Sequence, residues 1–439
     1  MAQTLYFSRD SKMWIEFDGI VWEVPVLDGF SFSQATNSSE ITLAEMESSA
    51  GVSRRGRRAF NDSLAPGEWS FSTYIRPFIS AGNGYAGTNR DADAAAEVHA
   101  VEEVLFAALA GAKDYNTAGG TIHAFDNGAS TPVAVTVPAG AQNAVSFAGS
   151  NSSTLGTFNI YFVLGTPAAS GNTSRVMKLV GATANEASID FDIDGIATIN
   201  WSGNCNEVVD YTASVGFSDS AITSGTGSAV GDVWIDTNDS NCLKVTTAGS
   251  GASHTPVIRE GVLDTTNFIR NRLTVLTAAP AAIGSNDARD PDGDGSNELN
   301  ASYDLTLTGG NITITNNNTY ITPEELGTVN VPIGHVTGTR TVSGSFTCYL
   351  VKDSASTGAS LDLFEDLRAI TNVTTNKFNL VFKIGGATTG KRLEIAMGQC
   401  HIEVPTHSIE DVISLETNFM ALPATIDAAD EITATYKVS

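Results

Sequence analysis

Three short segments of this 439-residue chain carry residue types that could support chemistry. The first, residues 385–392 (GGATTGKR), comes close to a phosphate-binding loop, in which backbone amides and a lysine hold the phosphates of a nucleotide. However, Arg392 stands where a serine or threonine must bind magnesium, and the following residues alternate like a strand. We therefore predict a hairpin turn here rather than a nucleotide site.

The second segment matches the first half of an EF-hand calcium loop. Asp290, Asp292 and Asp294 alternate along it, and Gly295 follows where the loop must turn sharply. The twelfth position of an EF-hand loop supplies a bidentate carboxylate, but Ala301 stands there in this chain. Weak calcium binding is one interpretation of the three aspartates, and an unliganded acidic turn is the one that we favour.

The third segment contains His401, Glu403 and His407, which lie close together without the ligand set of a zinc site. No serine-, cysteine- or zinc-hydrolase motif accompanies them. We predict no catalytic residue, no metal and no cofactor, and hence that the chain is not an enzyme. A glycoside hydrolase that used two carboxylates would leave no such motif, so an enzyme stays as an alternative.

A cluster of positive charge is a better candidate for function. Arg54, Arg55, Arg57 and Arg58 place four of the 24 basic residues in one loop of a chain with 49 acidic residues and a net charge of −25. A local charge that is opposite to the overall charge suits docking on the acidic face of an identical neighbour. We favour such a contact over an ordinary solvated loop.

A cluster of negative charge is the other candidate. Asp190, Asp192 and Asp194 alternate with apolar residues over positions 189–194. In a β-strand this pattern points all three carboxylates to the same side of the sheet. The exposed face of an isolated protein and the acidic wall of a channel explain the pattern equally well.

The composition limits both the fold and the partners. Charged residues make up only 17% of the chain, while glycine, serine, threonine and asparagine are abundant, which is typical of a β protein with many turns. The strong negative charge disfavours nucleic-acid or membrane binding through basic residues. The four scattered cysteines indicate neither a zinc ribbon nor a disulfide framework. We expect no secretory signal and no membrane-spanning segment.

The elements that must position these residues occur twice. Residues 69–75 (WSFSTYI) and 344–350 (GSFTCYL) both read as strands, and Phe71 matches Phe346. The flanking elements are also paired: strands 29–33 and 310–315, amphipathic helices 93–109 and 360–370, and strands 158–164 and 378–384. Because the order is the same and only the loops differ, the chain reads as one duplicated module that supplies two neighbouring positions of a ring.

This duplication predicts three parts. The first module spans residues 1–205, with lead-in strands and an insertion near 111–157. An inserted segment, 206–257, contains a small hairpin, and the second module spans 258–439. We predict a mainly β fold, with β-sandwich or barrel modules that each carry one flanking α-helix. Below, the two modules are called the first and second repeats.

Several strings resemble the major tail tube protein of long-tailed, non-contractile siphophages in its duplicated form. They are RAFNDSL at 58–64, EWSFSTYI at 68–75, INWSGN at 199–204 and NNNTYITP at 316–323. The likeness covers roughly residues 28–205 and 262–430. It implies that three chains form a pseudo-hexameric ring, that rings stack into a hollow tube, and that the loops 36–68 and 316–341 reach toward the adjacent ring.

The resemblance identifies the chain as a virion structural protein that conducts genomic DNA through an acidic lumen during ejection. It implies tail tip, tape measure and terminator proteins as partners, besides the chain itself, and a place in the virion tail after synthesis in the host cytoplasm. An extracellular adhesin or carbohydrate-binding β protein is the alternative. It fits the composition but gives no reason for the duplication.

Overall fold

The computed structural model describes most of the chain. The described residues are 5–17, 19–40, 59–79, 98–111, 121–123, 134–136, 142–146, 154–255, 257–282, 287–290, 295–297, 299–326, 330–352, 358–369, 377–386, 390–409, 411–426, 428 and 430–438.

The described part of the chain is mainly β, as the composition predicted. The strands up to residue 205 are β1 (Lys12–Phe17), β2 (Ile20–Glu23), β3 (Ser31–Ser33), β4 (Thr36–Glu40), β5 (Ala59–Leu64), β6 (Gly67–Tyr74), β7 (Pro77–Ile79), β8 (Val98–Ala100), β9 (Thr121–His123), β10 (Ala134–Thr136), β11 (Gln142–Ser146), β12 (Phe158–Leu164), β13 (Arg175–Asp192) and β14 (Thr198–Cys205). Between residues 206 and 258 they are β15 (Glu207–Asp210), β16 (Val215–Ser218), β17 (Val233–Asp236), β18 (Cys242–Val245) and β19 (Val257–Ile258).

The remaining strands belong to the second repeat. They are β20 (Val275–Pro280), β21 (Tyr303–Leu305), β22 (Leu307–Thr315), β23 (Thr319–Ile321), β24 (Gly334–Val336), β25 (Thr341–Tyr349), β26 (Phe378–Ile384), β27 (Arg392–Ile402), β28 (Thr406–Ile409), β29 (Ile413–Ala421) and β30 (Thr433–Lys437). The α-helices of the described residues are α1 (Glu103–Leu109) and α2 (Ser360–Ala369). Neither has the length and apolar character that a bilayer-spanning helix needs.

The first helix is shorter than predicted. Residues Val98–Ala100, expected inside it, form strand β8 and pair with β7, so that the helix begins only at Glu103. All seven residues of α1 are buried. A fully buried apolar run lacks the one-sided pattern that separates helix from strand, which explains the error. In the second repeat, α2 lies where it was predicted.

Each repeat is a sandwich of two sheets that share one long strand. Strand β13 runs unbroken for 18 residues. Its first half pairs with β12 and β15 in one sheet, and its second half pairs with β14 and β22 in the other. In the second repeat β27 has the same position, since it pairs with β26 and β30 and then with β29.

Aromatic side chains fill the space between the two sheets. In the first repeat, Phe162 of β12 stacks on Phe30 and Phe32, with ring centroids 5.0 Å apart in both pairs. In the second repeat, Phe382 of β26 lies 5.5 Å from Phe419. The burial of such rings is the main favourable contribution to the folding of each sandwich.

The inserted segment 206–257 builds a third layer on the first repeat. The predicted hairpin is confirmed: β17 and β18 pair antiparallel, and β16 adds a parallel strand. This small sheet packs on Trp14 and Tyr161, on the side of β1 and β12 that faces away from the sandwich core. Lys244 closes the hairpin with an ion pair to Asp236 at 2.8 Å.

The cysteines are core residues rather than ligands. All four are buried and none forms a disulfide. Loss of hydration raises the pKa of the Cys348 thiol to about 11 and that of Cys400 to about 12. The thiols therefore stay protonated and unreactive at neutral pH.

Candidate functional site

Nine strands, in eight positions, form one continuous sheet that crosses both repeats. Hydrogen-bonded neighbours give the order β3, β6, β14, β13, β22, β25, β29 and then the pair β27 and β28. Because residues directly opposite each other share a face of a sheet, the registers assign every side chain to one face or the other.

One face of this sheet, here called the polar face, carries almost only small polar and acidic side chains. They are Ser31 and Ser33 of β3; Glu68, Ser70, Ser72 and Tyr74 of β6; Thr198, Asn200, Ser202 and Asn204 of β14; Glu186, Ser188, Asp190 and Asp192 of β13; Asn311, Thr313 and Thr315 of β22; Thr341, Ser343, Ser345 and Thr347 of β25; Ser414, Glu416, Asn418 and Met420 of β29; and His401, Glu403, Thr406 and Ser408 along β27 and β28.

The polar face has charge of a single sign. Its carboxylates are Glu68, Glu186, Asp190, Asp192, Glu403 and Glu416, and no lysine or arginine stands among the residues that form it. Such a surface repels polyanions along its whole width, and the repulsion weakens with ionic strength.

Hydrogen bonds connect the side chains from strand to strand in the first repeat. The hydroxyls of Ser31 and Ser70 lie 2.8 Å apart. Ser72 donates to Asn200 at 2.6 Å, and Asn200 in turn donates to the Asp190 carboxylate at 3.1 Å. These donors and acceptors of the face are therefore used within the face itself.

The second repeat has the same kind of connections. Ser345 donates to the Asn311 side-chain oxygen at 3.0 Å, and Asn418 donates to Glu403 at 2.9 Å. Two shallow depressions lie on the face, one in each repeat, with volumes of about 280 and 450 Å³. Neither collects a catalytic set of side chains or an enclosed apolar surface, which a small-molecule site would need.

The predicted aspartates fall on this face with one exception. Asp190 and Asp192 are exposed, while Ile189 and Phe191 between them are 1% and 4% exposed. The alternation ends there, because β13 ends at Asp192 and the next residues form a bend. Asp194 is exposed in that bend, so the prediction that all three carboxylates project from one strand is wrong for Asp194.

The other face of the sheet packs on the sandwich core through a reciprocal arrangement of aromatic rings and glycines. In the first repeat, Gly203 lies opposite Trp69. In the second repeat the large and small residues exchange strands, since Gly344 lies opposite Phe419. A Cβ on either glycine would meet an aromatic ring and a backbone oxygen of the adjacent strand.

A buried charged cluster anchors the first helix behind the sheet. The Glu102 carboxylate accepts the backbone N–H of Arg76 at 3.1 Å. The Arg76 guanidinium donates to the carbonyl oxygens of Gly261 and Asp264, which tie the start of the second repeat to β6. Burial raises the pKa of Glu102 to about 8, so this carboxyl group favours its protonated form.

The arginine cluster lies outside the described residues. Arg54, Arg55, Arg57 and Arg58 fall in the segment between β4 and β5, and these two strands pair as an antiparallel hairpin. The described part of this hairpin is mostly exposed. The inter-ring role of the arginine cluster stays a prediction.

The other motifs behave as ordinary structural elements where the structure describes them. Asp290 is buried and accepts the backbone N–H of Gly295 at 2.9 Å, while Asp292 and Asp294 lie outside the described residues. No metal-ligating group of three appears among the residues described. The predicted turn near 385–392 is confirmed, because β26 and β27 pair antiparallel on either side of it.

Sequence reasoning did not find the junction between the repeats. The second half of β13 pairs with β22 over seven residue pairs, which makes one sheet of the two repeats. Its signal was present in the alternation of β22, residues 307–315, but alternation does not name a partner strand.

Comparison with known proteins supplies the context for this geometry. No protein-family profile matches the chain. The chain is 28% identical over 413 residues to the "Tail tube protein pb6" of Escherichia phage T5, a match that covers 93% of this chain and 69% of that protein. The similarity to a siphophage tail tube protein that the sequence motifs predicted is therefore confirmed.

Proposed function

We propose that this chain is the structural subunit of the tube of a non-contractile phage tail. The observation that carries the proposal is the polar face: nine strands across both repeats, six carboxylates and no lysine or arginine among the residues that form it. The tail tube relative gives that face a use, since its name assigns that protein to a tail tube.

The function that we infer is geometric and electrostatic rather than catalytic. Three chains supply six repeats, and a closed ring of six would bury the sheet edges that a lone chain leaves open. With the polar face inward, the wall of the ring is acidic. DNA carries one negative charge per about 1.7 Å of duplex, so such a wall conducts it without holding it. Rings stack into a tube in the virion tail, after synthesis in the host cytoplasm.

The proposed partners are other chains of the same kind and the tail tip, tape measure and terminator proteins. DNA passes without being recognised, and no membrane is required. In the proposed arrangement the three parts of the chain keep separate roles. The repeats at 1–205 and 258–439 form the wall, and the segment 206–257 lies on the layer farthest from the polar face.

Electron microscopy of the purified protein tests the assembly. We expect stacked rings or hollow tubes with threefold or pseudo-sixfold end views, either spontaneously or after addition of tail tips. A protein that stays monomeric under both conditions would contradict the proposal and would favour the adhesin alternative, which a glycan-binding assay then examines.

Charge reversal tests the channel. In a phage carrying D190K and D192K, we expect tails of normal appearance and slower DNA ejection, because four units of charge change per chain on the proposed wall. The matched control is D10K with D219K, which changes the same charge at exposed positions outside the polar face. Equal ejection rates for the two variants would remove the polar face from the mechanism.

The arginine segment is proposed as an inter-ring contact. Replacing Arg54, Arg55, Arg57 and Arg58 with glutamate should prevent stacking while leaving the subunit folded, because it puts like charge against an acidic neighbouring ring. Circular dichroism checks the fold and sedimentation checks the stacking. Normal tubes from this variant would show that the segment is an ordinary solvated loop.

A further inference from the structure

The junction between the repeats is a completed example of one repeat docking on the next. Strand β13 meets β22 antiparallel, with Ser188 opposite Thr313 and Asp190 opposite Asn311. Phe191, between these positions, is 4% exposed and packs at 5.4 Å from Phe382 of the second repeat. The pairing therefore continues both the backbone hydrogen bonds of the sheet and the apolar core from the first repeat into the second.

Side chains that follow β22 lock this junction. The Asn316 amide donates to the carbonyl oxygens of Leu109 and Ala184, at 2.8 and 3.3 Å. The Tyr320 hydroxyl lies 3.0 Å from the carbonyl oxygens of both Gly181 and Asn204. The hairpin of the second repeat is thus seated in a cleft of the first.

The repeat relation identifies β3 as the counterpart of β22. Ser70 of β6 and Ser345 of β25 occupy the same place in the two repeats, one residue before the matching phenylalanines. Ser31 lies opposite Ser70, and Asn311 lies opposite Ser345. Ser31 therefore corresponds to Asn311, and two residues farther along, Ser33 corresponds to Thr313.

The same relation identifies β28 as the counterpart of the second half of β13. Ser72 and Thr347 correspond, because each follows one of the matching phenylalanines. Asn200 lies opposite Ser72 and Glu416 lies opposite Thr347, so Asn200 corresponds to Glu416. Ser188 lies opposite Asn200, and Thr406 lies opposite Glu416. Thr406 therefore corresponds to Ser188, and Ser408 corresponds to Asp190.

The two counterpart strands, β28 and β3, are accessible in the single chain. All four residues of β28 are exposed, and Ile409, the counterpart of buried Phe191, is 78% exposed. Within the described residues, β3 pairs with β6 on one side and with no strand on its other side. An apolar side chain beside an unpaired strand edge is a surface that strand addition would cover.

A cavity marks the counterpart of the cleft that holds Tyr320. Met420 corresponds to Asn204, whose carbonyl receives the Tyr320 hydroxyl. Met420 lines a cavity of about 830 Å³ between residues 337–342 and 420–431. Ile426 on its rim is 97% exposed.

We propose that β3 of a neighbouring chain pairs antiparallel with β28, with Ser31 opposite Ser408 and Ser33 opposite Thr406. The start of the neighbouring β4–β5 hairpin, from Thr36 onward, then occupies the cavity beside Met420. Ile409 becomes buried as Phe191 is at the internal junction. This inference rests on the proposed tube function and specifies the register in which its subunits join.

Cysteine cross-linking in assembled tubes tests the register. Directly opposite residues of an antiparallel pair have Cα atoms about 4.5–5.5 Å apart, within the range of a disulfide. In S31C/S408C we expect oxidation to link chains into covalent dimers and closed trimers on non-reducing gels. The control S31C/H407C is shifted by one residue, which points the second thiol to the other face. The four native cysteines are buried and contribute no background.

The outcomes separate the two proposals. If the wild-type protein forms no tubes with or without tail tips, the proposed function fails before the register is reached. If tubes form but S31C/S408C gives no link, or no more than S31C/H407C, the function stands and the register is overturned.

A second variant protects the test against failure of the cysteine pair to assemble. I409D should leave the monomer folded, since the side chain is exposed, and should abolish assembly because it buries an unpaired charge at the junction. The control is V230D, at a position that is 69% exposed in the inserted segment. Assembly of I409D at the level of V230D would overturn the proposed contact.

Discussion

The two repeats share a fold but differ at the strand that follows the polar face's last paired position. In the first repeat, the strand that ends at Asp192 is covered by β22, and Phe191 is buried. In the second repeat, the corresponding strand β28 pairs with β29 alone within the described residues, and Ile409 is exposed. In a duplicated protein, a position that is buried in one repeat and exposed in the other marks a surface that an assembly can cover.

The comparison predicts a large difference between Phe191 and Ile409 in the isolated chain. F191A removes a buried ring from the junction and should lower the free energy of unfolding by about 3–5 kcal/mol. I409A removes an exposed side chain and should change it by less than about 0.5 kcal/mol. Urea denaturation of the unassembled subunit measures both. Similar losses for the two variants would mean that β28 is already covered in the single chain.

The reciprocal glycines predict a similar loss of stability in the two repeats. G203A and G344A should each destabilise the subunit by about 1–3 kcal/mol, because each new methyl group forces an aromatic ring and a neighbouring backbone oxygen to move. G398A is a matched control, since a Cβ on Gly398 meets nothing within 4 Å. Thermal unfolding compares the three variants. A cost confined to one repeat would show that the two sandwiches tolerate strain differently.

The helix anchors differ chemically and predict an effect that is small within any one pH unit and depends on pH. Glu102 accepts the N–H of Arg76, and in the second repeat the Ser360 hydroxyl accepts the corresponding N–H of Val351 at 2.8 Å. Because the pKa of Glu102 rises from 4.5 to about 8 on folding, its contribution is complete below pH 4.5 and is lost as pH rises toward 8.

E102Q should therefore flatten the decline of stability between pH 5 and 8, by at most about 1.4 kcal/mol per pH unit. Denaturant midpoints at several pH values give the difference between wild type and variant, and S360A, which carries no titratable group, is the control. An unchanged slope in E102Q would mean that Glu102 stays ionised in the folded chain.

The sequence predicted those parts of the fold that local pattern determines. The matched order of elements in the two repeats placed β12 and β26, and periodic apolar residues placed α2. Local pattern failed at Val98–Ala100, where complete burial hides the period, and at Asp194, where a bend ends the strand. The polar face was predicted only at Asp190 and Asp192. The other strands contribute serine, threonine and asparagine, which in a sequence also indicate turns.

The internal junction determines how many repeats a closed ring can contain. In any closed ring of these chains, every second contact between repeats lies within a polypeptide and forms during folding, whatever the protein concentration. Only the alternate contacts depend on collision between molecules. A ring built in this way always contains an even number of repeats. Dilution would release intact two-repeat units and never a single repeat, because the two repeats of a chain are paired within one polypeptide.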